Sequence, residues 1–434
     1  MASTLVQPAD AADPRPRSAV SEGTGVAGMV GLLAWVAMAR HYGMDGPFSA
    51  LVNLLACALP MLAWSVLVDK VHRNPSTGID WAQARPWRAT IDVSIVKLVG
   101  LWATWGGIAV LYVTGRFYWE GGFPFAMWCF AYAAPVLFVL SVPYFVWLDR
   151  RLVEPRDGCW ALGAWLLNLD VPTEREAIFN HLRSWAVKAF FLAFMLAIVP
   201  GGFREFVSAD TATVLRDPVA LAQWLITFMF LVDVAFATCG YILAMRPIDT
   251  HIRSANPYAA GWAAALICYP PFVLMGEGGP LDYHPGGAEW TQWFAGHPLL
   301  LSAIGAALVA LTFVYAWATV AFGLRFSNLT NRGIITNGPY AWSRHPAYLS
   351  KNLFWWLVSW PMLTTTGSWL DAFRNTMILA LVSGVYYWRA RTEERHLLAD
   401  PDYRAYYDWM ARHGPVPRFF AWVAGSSRRS GSGA

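Results

Sequence analysis

The sequence predicts an all-α fold, a polytopic transmembrane helix bundle of about ten spans with both termini cytoplasmic. Three observations carry that expectation. Of the 434 residues, 56% are apolar and 14% charged, whereas a soluble domain carries about 25% charged residues. A soluble fold of this size would expose large apolar patches, so the composition excludes a soluble globular enzyme, a disordered chain and a collagen-like fibre. The apolar runs are also continuous rather than alternating with period two, which favours helices over a barrel. Finally, Lys and Arg cluster on one side of the alternating loops, as cytoplasmic loops require.

A spanning helix needs roughly 20 mostly apolar residues. Ten segments approach or meet that length: 26–39, the shortest, then 47–68, 95–113, 124–147, 185–200, 218–245, 259–275, 298–323, 346–363 and 372–388. With the N-terminus inside, 24 of the 32 Lys and Arg fall in inside segments. Only Arg40, Arg116, Arg204, Arg216 and Arg374 fall outside. Lys97, Lys188 and Lys351 sit near cytoplasmic helix ends, where they can snorkel. Residues 1–24 are polar, rich in Pro, Ala and Ser, and not basic at the start. They read as a disordered tail rather than a signal peptide, and residues 421–434 as a second one. Between them lie an N-terminal membrane module of about seven helices, 25–290, with no assigned function, and a distinct core, 298–420.

Net charge is only +4, so no nucleic-acid footprint is expected. The five cysteines are scattered, with no CxxC, giving neither a disulfide framework nor a zinc site. No metal is expected. Asp233, in the middle of an apolar helix, reads either as a residue facing a polar cavity or as a hydrogen-bonded packing residue, since charge at that depth is costly. The loop RPIDTHIR, with Asp249, His251 and Arg253, reads as a solvated loop packing near the face that carries the chemistry, rather than as a metal or head-group site. His284 and His297 read as surface residues.

The chemistry concentrates after residue 325. Arg344 and His345 immediately precede the ninth segment, which Pro346 starts; proline is tolerated at a first helical position. Arg391, Glu393 and Glu394 immediately follow the tenth. A short outer loop makes the two segments a hairpin, so RHPAY and RTEE reach the same membrane face. Arg and His offer donors to a carboxylate; the two Glu offer acceptors to an ammonium group or to ribose hydroxyls. The same residues could instead pair with each other as an interfacial salt-bridge cluster.

TNGPYAWSRHPAYL, a hairpin, and then RTEERHLL, DYRAYY and PVPRF together resemble the isoprenylcysteine carboxyl methyltransferase family, related to phospholipid N-methyltransferases. The likeness covers roughly the last quarter of the chain. It implies S-adenosylmethionine as cofactor, in a cytoplasmic-side pocket closed by the C-terminal segment, and a lipophilic or lipid-linked substrate arriving from membrane lipid. Carried over, Arg344, His345 and Tyr348 contact the methionine part of the cofactor. Glu394, with Glu393 as its substitute, binds the amino group or ribose. Gly338, Pro339 and Tyr340 face the nucleoside, and Tyr403, Tyr406 and Tyr407 lie on the closing helix. One departure is Leu349, Ser350 and Lys351, where the family usually has a glycine. Asp233, Lys351 and Trp355 are candidate substrate contacts. No catalytic base is assigned: a carboxylate nucleophile needs none near neutral pH, and for an amine or thiol His345 is the obvious candidate. Two rival readings are an NADPH-dependent membrane sterol or enone reductase and a non-enzymatic membrane transporter or scaffold.

Overall fold

The computed structural model describes residues 15–415 and residue 418. The expected tail at 421–434, and residues 1–14 of the other, lie outside the described residues. In chain order the main helices are α1 (Glu22–Tyr42), α2 (Pro47–Ala63, continued to Val68 by a π-turn), α3 (Ile91–Gly115), α4 (Pro124–Asp149), α5 (Gly158–Leu166), α6 (Arg175–Ser208), α7 (Pro218–Ile242), α8 (Ala259–Leu266), α9 (Pro298–Phe322), α10 (Pro346–Ser359), α11 (Trp369–Leu397) and α12 (Pro401–His413). One antiparallel pairing joins β1 (Ser254–Ala255) to β2 (Thr330–Asn331). The protein is a polytopic helical bundle: α1, α2, α3, α4, α6, α7 and α9 are each long and apolar enough to cross a membrane.

The remaining expected segments differ for identifiable reasons. Segment 259–275 is not one helix. It keeps eight helical residues as α8 and then breaks before Pro270 and Pro271, which cannot continue the ladder. α10 has 14 residues, about 21 Å against the roughly 30 Å of a bilayer core. α11 has 29 residues, but its last turns carry RARTEERH and are not apolar. α5 lies in the inside segment between the expected spans 124–147 and 185–200; Asp157 starts it by accepting from the backbone N–H of Cys159 at 3.1 Å and of Trp160 at 3.2 Å.

The direction of the helices follows from their contacts. Asp233 of α7 meets Tyr315 and Thr319 of α9, and at the ends below them Gly240 meets Phe326. α7 and α9 therefore run the same way, and the chain must return between them. It returns along α11: Asn256 lies by Thr392, and Asp282 by Arg374. Irregular backbone at such depth is tolerated where it is buried in protein or lines a cavity.

Close helix approaches use small residues, as membrane bundles do. A Cβ at Gly31 of α1 would lie 1.9 Å from the Ala56 carbonyl of α2, and one at Gly163 of α5 1.9 Å from the Val96 carbonyl of α3. The largest apolar core joins α1, α2, α6 and α7. Lys97, expected to snorkel, instead stays inside with no exposure and pairs with Asp149 at 2.8 Å and Asp157 at 2.9 Å. Residues 15–24, expected as part of a disordered tail, are also placed. Ala19 donates to the Ile334 carbonyl at 2.8 Å, Thr336 to the Pro16 carbonyl at 2.7 Å and Asn337 to the Val20 carbonyl at 3.1 Å. The helix then starts at Glu22.

Candidate functional site

Two buried arginines shape the loop that follows α9. Arg332 gives its guanidinium to backbone carbonyls: Thr250 at 2.6 Å, Phe326 at 2.6 Å, and Gly240 and Leu324 at 2.9 Å. Arg325 donates to the Arg332 carbonyl at 2.6 Å and to Asp249 at 2.7 Å. Asp249 also accepts from Asn74 at 2.9 Å and Ser76 at 2.7 Å. The RPIDTHIR loop is thus a buried anchor for the site, where a solvated loop was expected.

The hairpin of α10 and α11 brings the two motifs together. His345 caps α10 and Pro346 opens it. His345 Nε2 lies 3.1 Å from Glu394 Oε1, Arg344 Nε 2.9 Å from the same oxygen, and Arg391 Nη1 2.8 Å from Oε2. Glu394 is 4% exposed. Burial opposes its charge, but His345, Arg344 and Arg391 outweigh it and hold the carboxyl below its usual range. Glu393 points elsewhere: it accepts from the Tyr348 hydroxyl and lies 3.6 Å from Arg389. The Tyr348 ring stacks on His345 with centroids 5.7 Å apart.

These groups border a cavity of ≈ 1210 Å³, counting its open mouth. Of the expected cofactor residues, Tyr340, Arg344, His345, Tyr348, Glu393 and Tyr403 line it, as does Tyr406. Gly338, Pro339, Glu394 and Tyr407 do not line it; Glu394 and Tyr407 hold Arg344, which does. Arg344 lies over the Tyr407 ring at 4.0 Å. Gly338 takes φ +56, and a Cβ there would come within 3.1 Å of Trp317. Tyr406 of α12 donates to the Tyr340 carbonyl at 2.7 Å, tying the closing helix to the wall.

Among the candidate substrate residues, Lys351 lines the cavity. Trp355 lines a smaller adjoining pocket. Asp233 stands behind the wall, accepting from Thr319 and, at 2.9 Å, from Tyr315. His284, read as an unpartnered surface residue, pairs with Asp282 at 2.8 Å. Sequence reasoning missed Arg389, Tyr269, Tyr315 and Tyr386. Arg389 sits one helical turn before Glu393, so helical spacing alone points to it. Among the described residues no cluster of His, Cys, Asp and Glu could hold a metal, and all five cysteines are free thiols.

Residues 295–409 match the model of a family described as "Protein of unknown function (DUF1295)". The match begins just before α9 and ends within α12, so it takes in the whole cavity hairpin. No curated protein and no solved structure matches the chain.

Proposed function

We propose that the chain is an integral-membrane S-adenosylmethionine-dependent methyltransferase, similar to isoprenylcysteine carboxyl methyltransferases. On this reading it modifies a lipophilic substrate at the cytoplasmic face of a ten-span bundle. One observation carries the reading: His345 and Glu394, 49 residues apart in sequence, meet at 3.1 Å and turn Glu393, Tyr348 and Arg344 toward one cavity.

The residues fit the cofactor's chemistry. Glu393 is the acidic side chain on the cavity wall, an acceptor for an ammonium group or ribose hydroxyls. Arg344 keeps its terminal nitrogens for a carboxylate, while its Nε is fixed by Glu394. Tyr340 and Tyr403 give aromatic surface for a flat ring system. Bound S-adenosylmethionine would supply a sulfonium methyl group open to direct displacement. The chain's part is to hold both reactants in line, worth ~7–11 kcal/mol of barrier, and to exclude water as the sulfonium charge is lost.

Calorimetry with S-adenosylhomocysteine tests this. Wild type is expected to bind, and Glu393→Ala to lose most of that affinity. No binding by wild type, or undiminished binding by Glu393→Ala, removes the reading. A second reading, the NADPH-dependent sterol or enone reductase, draws on Tyr315 and buried Asp233, a hydroxyl–carboxyl pair at the cavity wall that would relay a proton when Asp233 carries one. Titration with NADPH under the same conditions separates the two.

A further inference from the structure

Lys351 projects from α10 to the junction of two spaces. It lines the main cavity together with Tyr315, and also the small pocket formed with Phe230, Leu311, Phe354 and Trp355. Its ammonium makes no hydrogen bond and no ion pair with any described residue. It sits among ring faces instead: Nζ is 5.4 Å from the Tyr315 centroid, 5.3 Å from Trp355 and 5.9 Å from Tyr386. Ring faces stabilise a desolvated cation without neutralising it. Asp233, which interacts with Lys351 through its charge, already accepts from Tyr315 and Thr319.

Arg389 shares this wall and the Tyr386 ring, 5.9 Å from its guanidinium carbon. It is 2% exposed, and its Nε has no hydrogen-bond acceptor. Glu393, at 3.6 Å, is outside hydrogen-bond range, and only Asn328 is engaged, at 2.6 Å from Nη2. A buried donor left without an acceptor is costly, the more so when charged. A half-buried ammonium held among ring faces and a buried guanidinium with one unfilled N–H thus face one cavity beside an apolar recess. A cationic head group would be repelled there, and an oxyanion would fill both donors.

We propose that Lys351, backed by Arg389, is a specificity-determining anion site. It takes the oxyanion of an amphiphile, a carboxylate or phosphate, whose apolar chain lies in the recess lined by Phe230, Leu311, Phe354 and Trp355. Calling this amphiphile the substrate rests on the methyltransferase reading; its binding does not.

The test measures binding by the purified full-length chain, using quenching of tryptophan fluorescence by brominated C18 amphiphiles. Four probes share one chain: the carboxylate, the phosphate, the alcohol and the amine. A charged hydrogen bond of about 1.5–3 kcal/mol corresponds to roughly ten- to hundred-fold. Wild type is expected to bind the carboxylate or the phosphate that much more tightly than the alcohol, with the tighter of the two naming the head group, and to bind the amine most weakly. Lys351→Met should erase the preference while leaving alcohol affinity in place; Lys351→Arg should retain it. Equal affinity of wild type for anion and alcohol, or a preference that survives Lys351→Met, overturns the proposal. S-adenosylhomocysteine binding, measured alongside, reports separately on the methyltransferase reading.

Discussion

Glu393 and Glu394 are neighbours in sequence but lie about 100° apart around α11, and that rotation separates two jobs. Glu394 is locked by Arg344, His345 and Arg391; Glu393 faces the cavity. Glu394→Ala is expected to lower stability by about 1–3 kcal/mol, because Arg344 and Arg391, 24% and 55% exposed, can turn to water. Glu393→Gln, which keeps an acceptor for Tyr348, should melt like wild type and lose cofactor affinity instead. Thermal unfolding and calorimetry on both variants check this; equal losses in both assays reject the division of labour. The pairing of the two motifs was legible from the hairpin. The exchange of roles was not, because nothing in RTEE says which acid the cations of RHPAY will reach. His396, on the same helix end, gives a pH prediction. Burial, with Arg183 nearby, pulls its pKa down to about 4. Its neutral form is the folded one, so its contribution is complete above about pH 6.5 and is lost as pH falls toward 4. At pH 5 the loss is about 2 kcal/mol. His251, held at about 3, adds the same sign. His396→Gln should therefore melt with a shallower decline between pH 7 and 5, and an unchanged slope would reject the assignment.

At the scale of elements, Lys97 ties three helices: it stands on α3 and pairs with Asp149 ending α4 and Asp157 opening α5. Ser94 adds a bond to Asp149 at 2.8 Å. Removing one partner of a buried pair strands the other, at about 3–5 kcal/mol. Lys97→Met is expected to lose stability of that order, and Lys97→Met with Asp149→Leu to regain part of it; a single variant that melts like wild type would show the tie to be idle. Hydropathy located α3 and α4 but made Lys97 an interfacial residue, because α5 and its cap are too short to register as a membrane element. The same limit explains segment 259–275. Its composition is that of a span, yet Pro270 and Pro271 end the helix after α8, and packing along α11 carries the rest. Apolar content reports burial in lipid or protein alike; only the neighbour tells which.

For the whole molecule, the described start of the chain and the end of α12 lie at the same end of the bundle. Residues 16–20 bond to the loop 334–337, and Tyr406 bonds to Tyr340 beside it. On the proposed orientation this end is the cytoplasmic one by its charge bias, and two of the five exceptions at the far end, Arg40 and Arg374, are occupied locally. Arg40 donates to the Phe206 carbonyl at 2.6 Å and the Ala209 carbonyl at 2.8 Å, at the end of α6. Those carbonyls have no intrahelical partner. Arg374 reaches the Asp282 carbonyl at 3.3 Å. Far-side arginines that satisfy backbone carbonyls do not argue against the orientation. The path then makes a prediction that composition alone cannot. Epitope tags inserted after Gly121 and after Gly278, two loop positions open enough that a Cβ would meet nothing within 4 Å, should be reached by antibody in intact cells. A tag at the C-terminus should be reached only after permeabilisation. If the tag after Gly278 is reached only after permeabilisation while the C-terminal tag is reached in intact cells, the broken seventh segment does not cross, and the cavity hairpin would face the other side of the membrane from the N-terminal strap that the structure bonds to it. All three tags inverted would instead keep the bundle and reverse its orientation, moving the site to the opposite face.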